Sequence, residues 1–533
     1  MPPRLSCRAP PSLPTHSRRP YASIMMSMRA RAALAGVAGV VAGVGAAELV
    51  SAFVVQDGSP VLVVGSLVID LAPGWVKEAV IAVFGTGDKA FLIALLAVLV
   101  LAGGALAGWL ELRRPPFGRV LIAADGAVGV LAALTRSGAG IVDAVPSLLA
   151  ALVGVLVLAW LIRLLRGTEP TRVTPQGEVT RRRFVLAASG TAIAGAIAVV
   201  AGQVVATGYR AAAAARAAFH LPTPATTAPP IPAGASFPIP GLSPIVTPAA
   251  DFYRIDTALQ IPGIQPQNWR LRITGMVEHE VELTYAQLLA LPLEESVTTL
   301  TCVSNEVGGD LIGNARWLGY PIRRLLARAK PTARADMVLS RSQDGWTAST
   351  PIEALTDERA AILAVGMNGQ PLPLEHGYPV RMVVPGLYGY VSATKWVVEL
   401  QVTRFDAVTS YWTDRGWSER GPVKLSSRID VPAAGRQVKA GTVAVAGVAW
   451  SQHVGVSAVE VRVDHGDWAP AQLADAISID TWRQWKYEWA AEPGTHTLTV
   501  RATDARGTVQ TAKEQDVVPD GATGLHTITV TVA

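Results

Sequence analysis

Apolar residues fill the first two fifths of the 533-residue chain in long runs, and alternate with polar ones over the rest. Four runs, at roughly 31–55, 90–110, 118–136 and 146–165, are long enough to predict membrane-spanning helices, and a fifth runs from Phe184 to about Thr207. The stretch 60–84 is also apolar, but Asp70, Pro73, Gly74, Lys77 and Glu78 interrupt it. It reads either as a sixth span or as a surface or re-entrant segment. From about Tyr209 to Thr247 the chain is Ala-rich and then Pro-rich, which predicts an extended linker with no core of its own. Strand-like alternation resumes at Trp269–Gly275. Thr284 is placed to cap a short helix from Tyr285 to Leu291, stopped by Pro292. Residues 296–303 read as a strand that runs into a loop at Cys302. Gly319-Tyr320-Pro321 turns into a helix, and Ser340–Ser349 reads as strand and turn. From about Pro422 the strands become short and regularly spaced, the pattern of an immunoglobulin-type β-sandwich, with Trp482–Trp489 an aromatic strand at its packing face.

Charge adds a direction. Basic residues stay on the cytoplasmic side of spans. Arg29 and Arg31 put the first helix's start inside, and Arg113, Arg114, Arg163, Arg166, Arg172 and Arg181–Arg183 follow if 57–89 stays outside. That gives five spans with everything after residue 207 facing outward; a six-span alternative would put Arg113 and Arg114 outside. Thr180-Arg181-Arg182-Arg183-Phe184-Val185-Leu186 reads equally as a basic anchor or as an internal twin-arginine export signal, the latter suiting a domain that crosses folded. Residues 1–28 are Pro- and Arg-rich without period and are set aside as a tail, with Met25, Met26 and Met28 as alternative starts. A net charge of +5 implies no nucleic-acid partner. The two cysteines, Cys7 and Cys302, fall on opposite sides of the membrane in this topology, so no disulfide joins them. The spans carry no His, so axial haem ligation between helices is not expected.

The candidate chemistry centres on Thr299-Leu300-Thr301-Cys302-Val303-Ser304-Asn305, continuing to Arg316-Trp317. Taken alone, the stretch reads as a buried structural cysteine. It gains meaning from Met367-Asn368-Gly369-Gln370-Pro371-Leu372-Pro373, then His376-Gly377-Tyr378-Pro379-Val380-Arg381, then Leu387-Tyr388-Gly389-Tyr390-Val391-Ser392-Ala393-Thr394-Lys395-Trp396. In this order and spacing these motifs resemble the sulfite oxidase family of molybdopterin enzymes, over roughly residues 246–533.

The expected fold is multi-domain: the apolar runs and the Pro-rich stretch give a tail (1–28), an α-helical transmembrane anchor (29–207) and a linker (208–247), and the resemblance implies an α+β molybdopterin domain (248–415) and an immunoglobulin-like dimerisation domain (416–533). It implies a molybdenum–molybdopterin cofactor with Cys302 as the metal ligand. His376, Arg381 and Lys395, with the amides of Ser392, Ala393, Thr394 and Lys395, match the positions that hold the pterin and its phosphate. Tyr253, Arg254 and Asp256 match the segment that meets the pterin and metal from the domain's start, although animal enzymes have His at the position of Asp256. Asp344 lies near another pterin position. Arg254, Trp317 and Trp417 match substrate-side positions, Trp417 standing where a Tyr is usual. Val307 and His526 stand where arginines are expected, which weakens the case for a dianion such as sulfite; Arg415 could supply a charge from elsewhere. The resulting expectation is an extracytoplasmic, membrane-anchored oxidoreductase that exchanges electrons with a cytochrome or the quinone pool. Sulfite oxidation leads, with reduction of methionine sulfoxide or another oxo compound, or a non-enzymatic cell-surface module, as alternatives.

Overall fold

The structure is a computed structural model that describes residues 27–54, 59–136, 140–166, 176–205 and 207–533; Cys7, Arg172 and most of the tail lie outside them. Helices α1 (Met28–Val54), α2 (Pro60–Leu71), α3 (Gly74–Phe84), α4 (Asp88–Arg113), α5 (Phe117–Leu134), α6 (Val145–Arg166), α7 (Gln176–Val205) and α8 (Thr207–Ala218) come first. Five of them, α1 and α4 to α7, contain segments long and apolar enough to cross a membrane, at the five runs expected. The ambiguous stretch 60–84 folds as two shorter helices. Ala72 is held extended (φ −67°, ψ 128°) ahead of Pro73, whose ring disfavours a helical residue before it.

α1 is the axis of the helical region. Gly36 lies against Gly104 of α4, Gly39 against Gly154 of α6 and Gly45 against Gly195 of α7, the small-residue contacts that let helix backbones approach closely. These contacts run α1 antiparallel to α4 and α6. Phe184 and Ala188 of α7 cluster with Ala32, Ala35 and Ala38, so α7 runs parallel to α1. The basic ends therefore gather on one side, where Arg119 pairs with Glu111 at 2.8 Å and Arg166 donates to the Glu111 carbonyl at 2.8 Å. Large apolar side chains on the outer faces, such as Val98, Leu131 and Ile197, remain about three-fifths exposed.

In chain order the next unit contains β1 (Arg270–Gly275), β2 (Val281–Thr284), α9 (Tyr285–Leu289), β3 (Glu294–Thr301), β4 (Ile312–Pro321), α10 (Ile322–Ala329), β5 (Met337–Ser342) and β6 (Thr347–Pro351). It continues with α11 (Glu353–Thr356), β7 (Ile362–Met367), β8 (Gln370–Pro371), β9 (Arg381–Val383) and β10 (Val397–Thr403). One sheet has the order β2-β1-β10-β5-β6, and the other β3-β4-β7-β8 with β9 paired to β7. Thr284 caps α9 as expected, through a reciprocal capping box with Gln287. The helix ends at Leu289, two residues earlier than read from the sequence. β3 runs directly into Cys302, and its partner β4 is buried over nearly all its length.

The C-terminal sandwich contains β11 (Ser426–Val431), β12 (Gln437–Val438), β13 (Gly441–Trp450), β14 (Val456–Val463), β15 (Ala469–Pro470), β16 (Gln472–Leu473), β17 (Arg483–Ala491), β18 (Gly494–Asp504) and β19 (Thr527–Val532). Its sheets have the orders β11-β13-β17-β16 and β12-β19-β18-β14-β15. Trp485 and Trp489 fill the space between them, whereas Trp482 packs with Trp450 against Ile312 of the preceding unit.

Two boundaries differ from expectation. Residues 416–425 still wrap the α+β unit, with Tyr388 N–H donating to Gly421 O at 2.7 Å and Val423 N–H to Gly386 O at 3.0 Å, and the sandwich begins at Ser426. The linker opens with α8, and its later part is strapped down rather than free. Glu295 N–H donates to Thr226 O at 2.8 Å, Thr247 N–H to Asn314 O at 2.7 Å and Phe237 N–H to Gln484 Oε1 at 2.8 Å. Proline content had indicated extension but could not show that backbone groups would find partners on two neighbours.

Candidate active site

Cys302 is placed by its loop. Its N–H donates to Leu311 O at 2.9 Å, and Asn305 Oδ1 accepts from Leu311 N–H at 2.8 Å, which closes the loop on itself. The sandwich holds the strand behind it: Gln452 Nε2 donates to Thr301 Oγ1 at 2.8 Å and Trp482 N–H to Thr299 Oγ1 at 2.8 Å. Cys302 is buried, and burial pushes its thiol pKa up. Hydrogen bonds from Ser304 and Val303 and the charge of Lys395 pull the other way. A thiolate here is thus stabilised by local donors but needs a cation to form fully.

Aromatic rings and cations build the wall. Phe252 stacks on Tyr253 at 5.2 Å between centroids, and meets Trp317 and His376 edge-on at 5.8 and 5.6 Å. The Arg381 guanidinium lies 5.2 Å from the Trp317 ring centroid. Trp317 is fully buried, its Nε1–H bonded to Thr298 O at 3.1 Å. It therefore backs Arg381 rather than lining an open substrate face. Tyr253 keeps its proton, because burial and the Cys302 charge both raise its pKa.

Gly377 brings the two inner cations together. It sits at φ 107°, and a Cβ there would fall 2.9 Å from Arg381 Cβ and 3.2 Å from Lys395 Cα. Arg381 is buried, which lowers its pKa to about 10; its guanidinium donates to the carbonyls of His376 (3.2 Å), Met382 (3.3 Å) and Ala393 (3.4 Å). Among the described residues it has no carboxylate partner. Burial lowers Lys395 to about 8, although Asp256 at 3.0 Å opposes the shift. Burial would raise Asp256, but Lys395, Lys89 and Arg254 outweigh it and hold the carboxylate well below its usual range. Burial, then Arg381 and Lys395, drive His376 down to about 3, so it is neutral. Its Nε2 bonds Ala249 O at 3.1 Å, and its Nδ1 is buried without a partner.

Three cations, Arg254, Lys89 and Lys395, thus share one carboxylate, while the buried Arg381 has none, beside an unpartnered ring nitrogen. Such a buried positive surplus is costly unless an anion fills it. A phosphate-bearing group that also offers soft sulfur chemistry at Cys302 fits this donor set. Among the described residues no cluster of three or more His, Cys, Asp or Glu could hold an ion directly, so Cys302 would be a lone protein ligand.

The remaining expected residues are distributed unevenly. Ser392 and Ala393 amides both donate to Gly389 O, at 3.3 and 2.9 Å, which leaves the amides of Thr394 and Lys395 as the ones of that turn to meet an anion. The Ser392 and Thr394 hydroxyls are spent on Tyr388 O (2.9 Å) and Ser340 Oγ (2.6 Å). Trp417 packs on Tyr390 and Trp412, with centroids 5.9 and 6.1 Å away, and Asp344 Oδ1 accepts from Trp346 N–H at 3.3 Å. Tyr388 was missed: burial and the nearby Asp520 and Cys302 charges push it up to about 12. The motif contained it, but nothing local indicated that its ring would be buried with its hydroxyl accepting from Lys424 N–H at 3.4 Å.

The sequence profile of the oxidoreductase molybdopterin binding domain matches residues 258–412, and that of a bacterial Ig domain matches 426–500. The uncharacterized oxidoreductase YuiH of Bacillus subtilis (strain 168) is 32% identical over 153 residues, 29% of this chain and 74% of its own length. The methionine-sulfoxide reductase catalytic subunit MsrP of Burkholderia mallei is 30% identical over 270 residues, 46% of this chain and 75% of its own. The chain belongs to the sulfite oxidase family of molybdopterin oxidoreductases. Mitochondrial sulfite oxidase of Rattus norvegicus is 30% identical over 258 residues, 40% of this chain and 47% of that enzyme. The chain thus spans about half the length of that relative.

On the C-terminal side of the cysteine loop the chain meets the approach to its last strand. A Cβ on Gly308 would fall 2.3 Å from His526 Cδ2, and one on Gly524 would sit 3.5 Å from Val307 Cγ2, so the loop after Cys302 and the segment around His526 meet at one spot. Burial and Arg428 keep His526 neutral, and its Nδ1 accepts from Ile429 N–H at 3.0 Å. Arg428 is paired with Asp430 at 2.7 Å and Lys424 with Asp520 at 2.8 Å.

Proposed function

We propose that this protein is a membrane-anchored, extracytoplasmic molybdenum oxidoreductase that reduces an uncharged oxo compound of the sulfoxide class. The observation that carries the substrate reading is the neutral Val307–His526 corner, where the neighbouring Arg428 is already spent on Asp430. A dianion entering there would lose hydration without gaining a charge-assisted partner. The relationship to MsrP, the methionine-sulfoxide reductase catalytic subunit, points the same way.

When bound, the molybdenum cofactor would supply two-electron oxygen-atom transfer. Cys302 would ligate the metal. Arg381, Lys395 and the unpartnered Nδ1 of His376 would face the pterin and its phosphate. Tyr253, protonated at its Oη and beside Gly389, would donate a hydrogen bond to the substrate oxygen. Reduction of a sulfoxide consumes two electrons and two protons and releases a sulfide and water. The electrons would come from a quinone or cytochrome at the membrane.

Anchoring is supported by the five long apolar helices, their exposed apolar faces and the collection of their basic ends opposite the catalytic unit. Arg254, about two-fifths exposed, favours a second reading, sulfite oxidation, to which the similarity with the rat enzyme also points. Steady-state kinetics with a sulfoxide and a reduced quinone, against sulfite and an oxidised acceptor, separate the two. The reading predicts a higher kcat/KM for the sulfoxide, with Val307→Arg shifting the ratio toward sulfite by about tenfold or more. Faster sulfite turnover by the wild type, unaltered by that substitution, overturns it.

A further inference from the structure

The Asp256 carboxylate is shared between two parts of the molecule. Its Oδ2 takes Lys395 at 3.0 Å and Arg254 at 3.1 Å, both from the α+β unit. Its Oδ1 takes the ammonium of Lys89, which stands at the start of α4 in the helical region. Lys89 also donates to Ala258 O at 2.6 Å. This ion pair is mostly removed from water, with the Asp256 side chain 6% and the Lys89 side chain 23% exposed.

Other ties secure the same face independently. Arg136, just after α5, donates to Asp344 O at 2.8 Å, and Arg415 donates to Asp70 O at 2.9 Å. Lys77 of α3 lies 5.3 Å from the Trp412 ring centroid. The helical region is therefore docked against the unit's cofactor side, and Lys89 reaches inward from it.

We propose that Lys89 is a positioning residue for the cofactor, acting through Asp256. With Lys89 on Oδ1, the Asp256 charge is divided, and the Lys395 ammonium keeps its attraction for a second anion. Without Lys89, the whole carboxylate charge falls on Lys395 and Arg254, and the surplus that would hold a phosphate shrinks by one charge. The helical region is thus part of the cofactor site, and retention of the cofactor depends on docking. This inference rests on the cofactor assignment above.

The experiment uses the full chain in detergent, as wild type, Lys89→Met and Lys89→Arg. Molybdenum and pterin per chain are followed during dialysis. Lys89→Met should release the cofactor roughly tenfold faster than wild type, the factor expected for one lost charge-assisted hydrogen bond, and Lys89→Arg should restore retention. Equal retention by wild type and Lys89→Met overturns the proposal, as does a Lys89→Arg variant as leaky as Lys89→Met, since that result means shape rather than charge. Unfolding midpoints of wild type, Lys89→Met, Asp256→Asn and the double variant supply a readout independent of metal: the two substitutions are expected to be non-additive, and additive shifts also overturn the proposal. Wild-type protein without molybdenum would instead sink the cofactor assignment, and the double-variant comparison would still decide whether Lys89 holds Asp256.

Discussion

Gly377→Ala tests whether the convergence of Arg381 and Lys395 is built by one glycine. The residue sits at φ 107°, ψ 22°, a region in which a side chain costs about 1–2 kcal/mol. The added Cβ would also press on Arg381 Cβ at 2.9 Å and on Lys395 Cα and Cβ at 3.2 Å each, overpacking worth about 1–3 kcal/mol. The expected loss is therefore about 2–5 kcal/mol. Gly369→Ala is the control, because Gly369 is also left-handed (φ 76°) but has nothing within 4 Å of its Cβ position. It should lose only the backbone part, about 1–2 kcal/mol. The assay is thermal unfolding of the full chain with molybdenum per chain measured in parallel. At roughly 2–4 °C per kcal/mol for a unit of this size, Gly377→Ala should melt several degrees below the control and hold less metal. If the two variants melt together and bind metal alike, the steric account of this corner is wrong.

Further outcomes follow from the same geometry. Cys302→Ser keeps a small buried side chain, so the fold should persist while molybdenum-dependent turnover falls to background; retained turnover would remove Cys302 as the metal ligand. The cofactor-free protein should lose stability as pH falls from about 6.5 toward 3, because His376 titrates near 3 in the fold and the unfolded chain takes the proton first. The slope should be about 1.4 kcal/mol per pH unit and should flatten in His376→Gln, as denaturant midpoints at pH 7 and 5 would show. Trp485→Ala should cost the sandwich about 3–5 kcal/mol, since Trp485 is fully buried between its sheets; a midpoint within 1 kcal/mol of wild type, a threshold well under that cost, would contradict the packing. External protease on spheroplasts should degrade the residues after α8 and spare the helices, and protection of the C-terminal units would reverse the proposed topology.

Much of the architecture is written locally. Runs of apolar residues longer than any core helix mark the five long helices, because only length and hydropathy matter there. Alternation marks the strands of the sandwich, and the Cys302, His376–Arg381 and Ser392–Lys395 motifs mark the site because each is contiguous in the chain. What the chain could not disclose are meetings between distant residues. The strapping of the linker, the wrap of residues 416–425, the retreat of Trp317 behind Arg381 and the grip of Lys89 on Asp256, 167 residues away, each depend on where a backbone carbonyl or a charge ends up after packing. Hydrophobic pattern has a period and can be read along a line. A buried charge has no period, and its partner is known only once the fold has decided which groups leave water together.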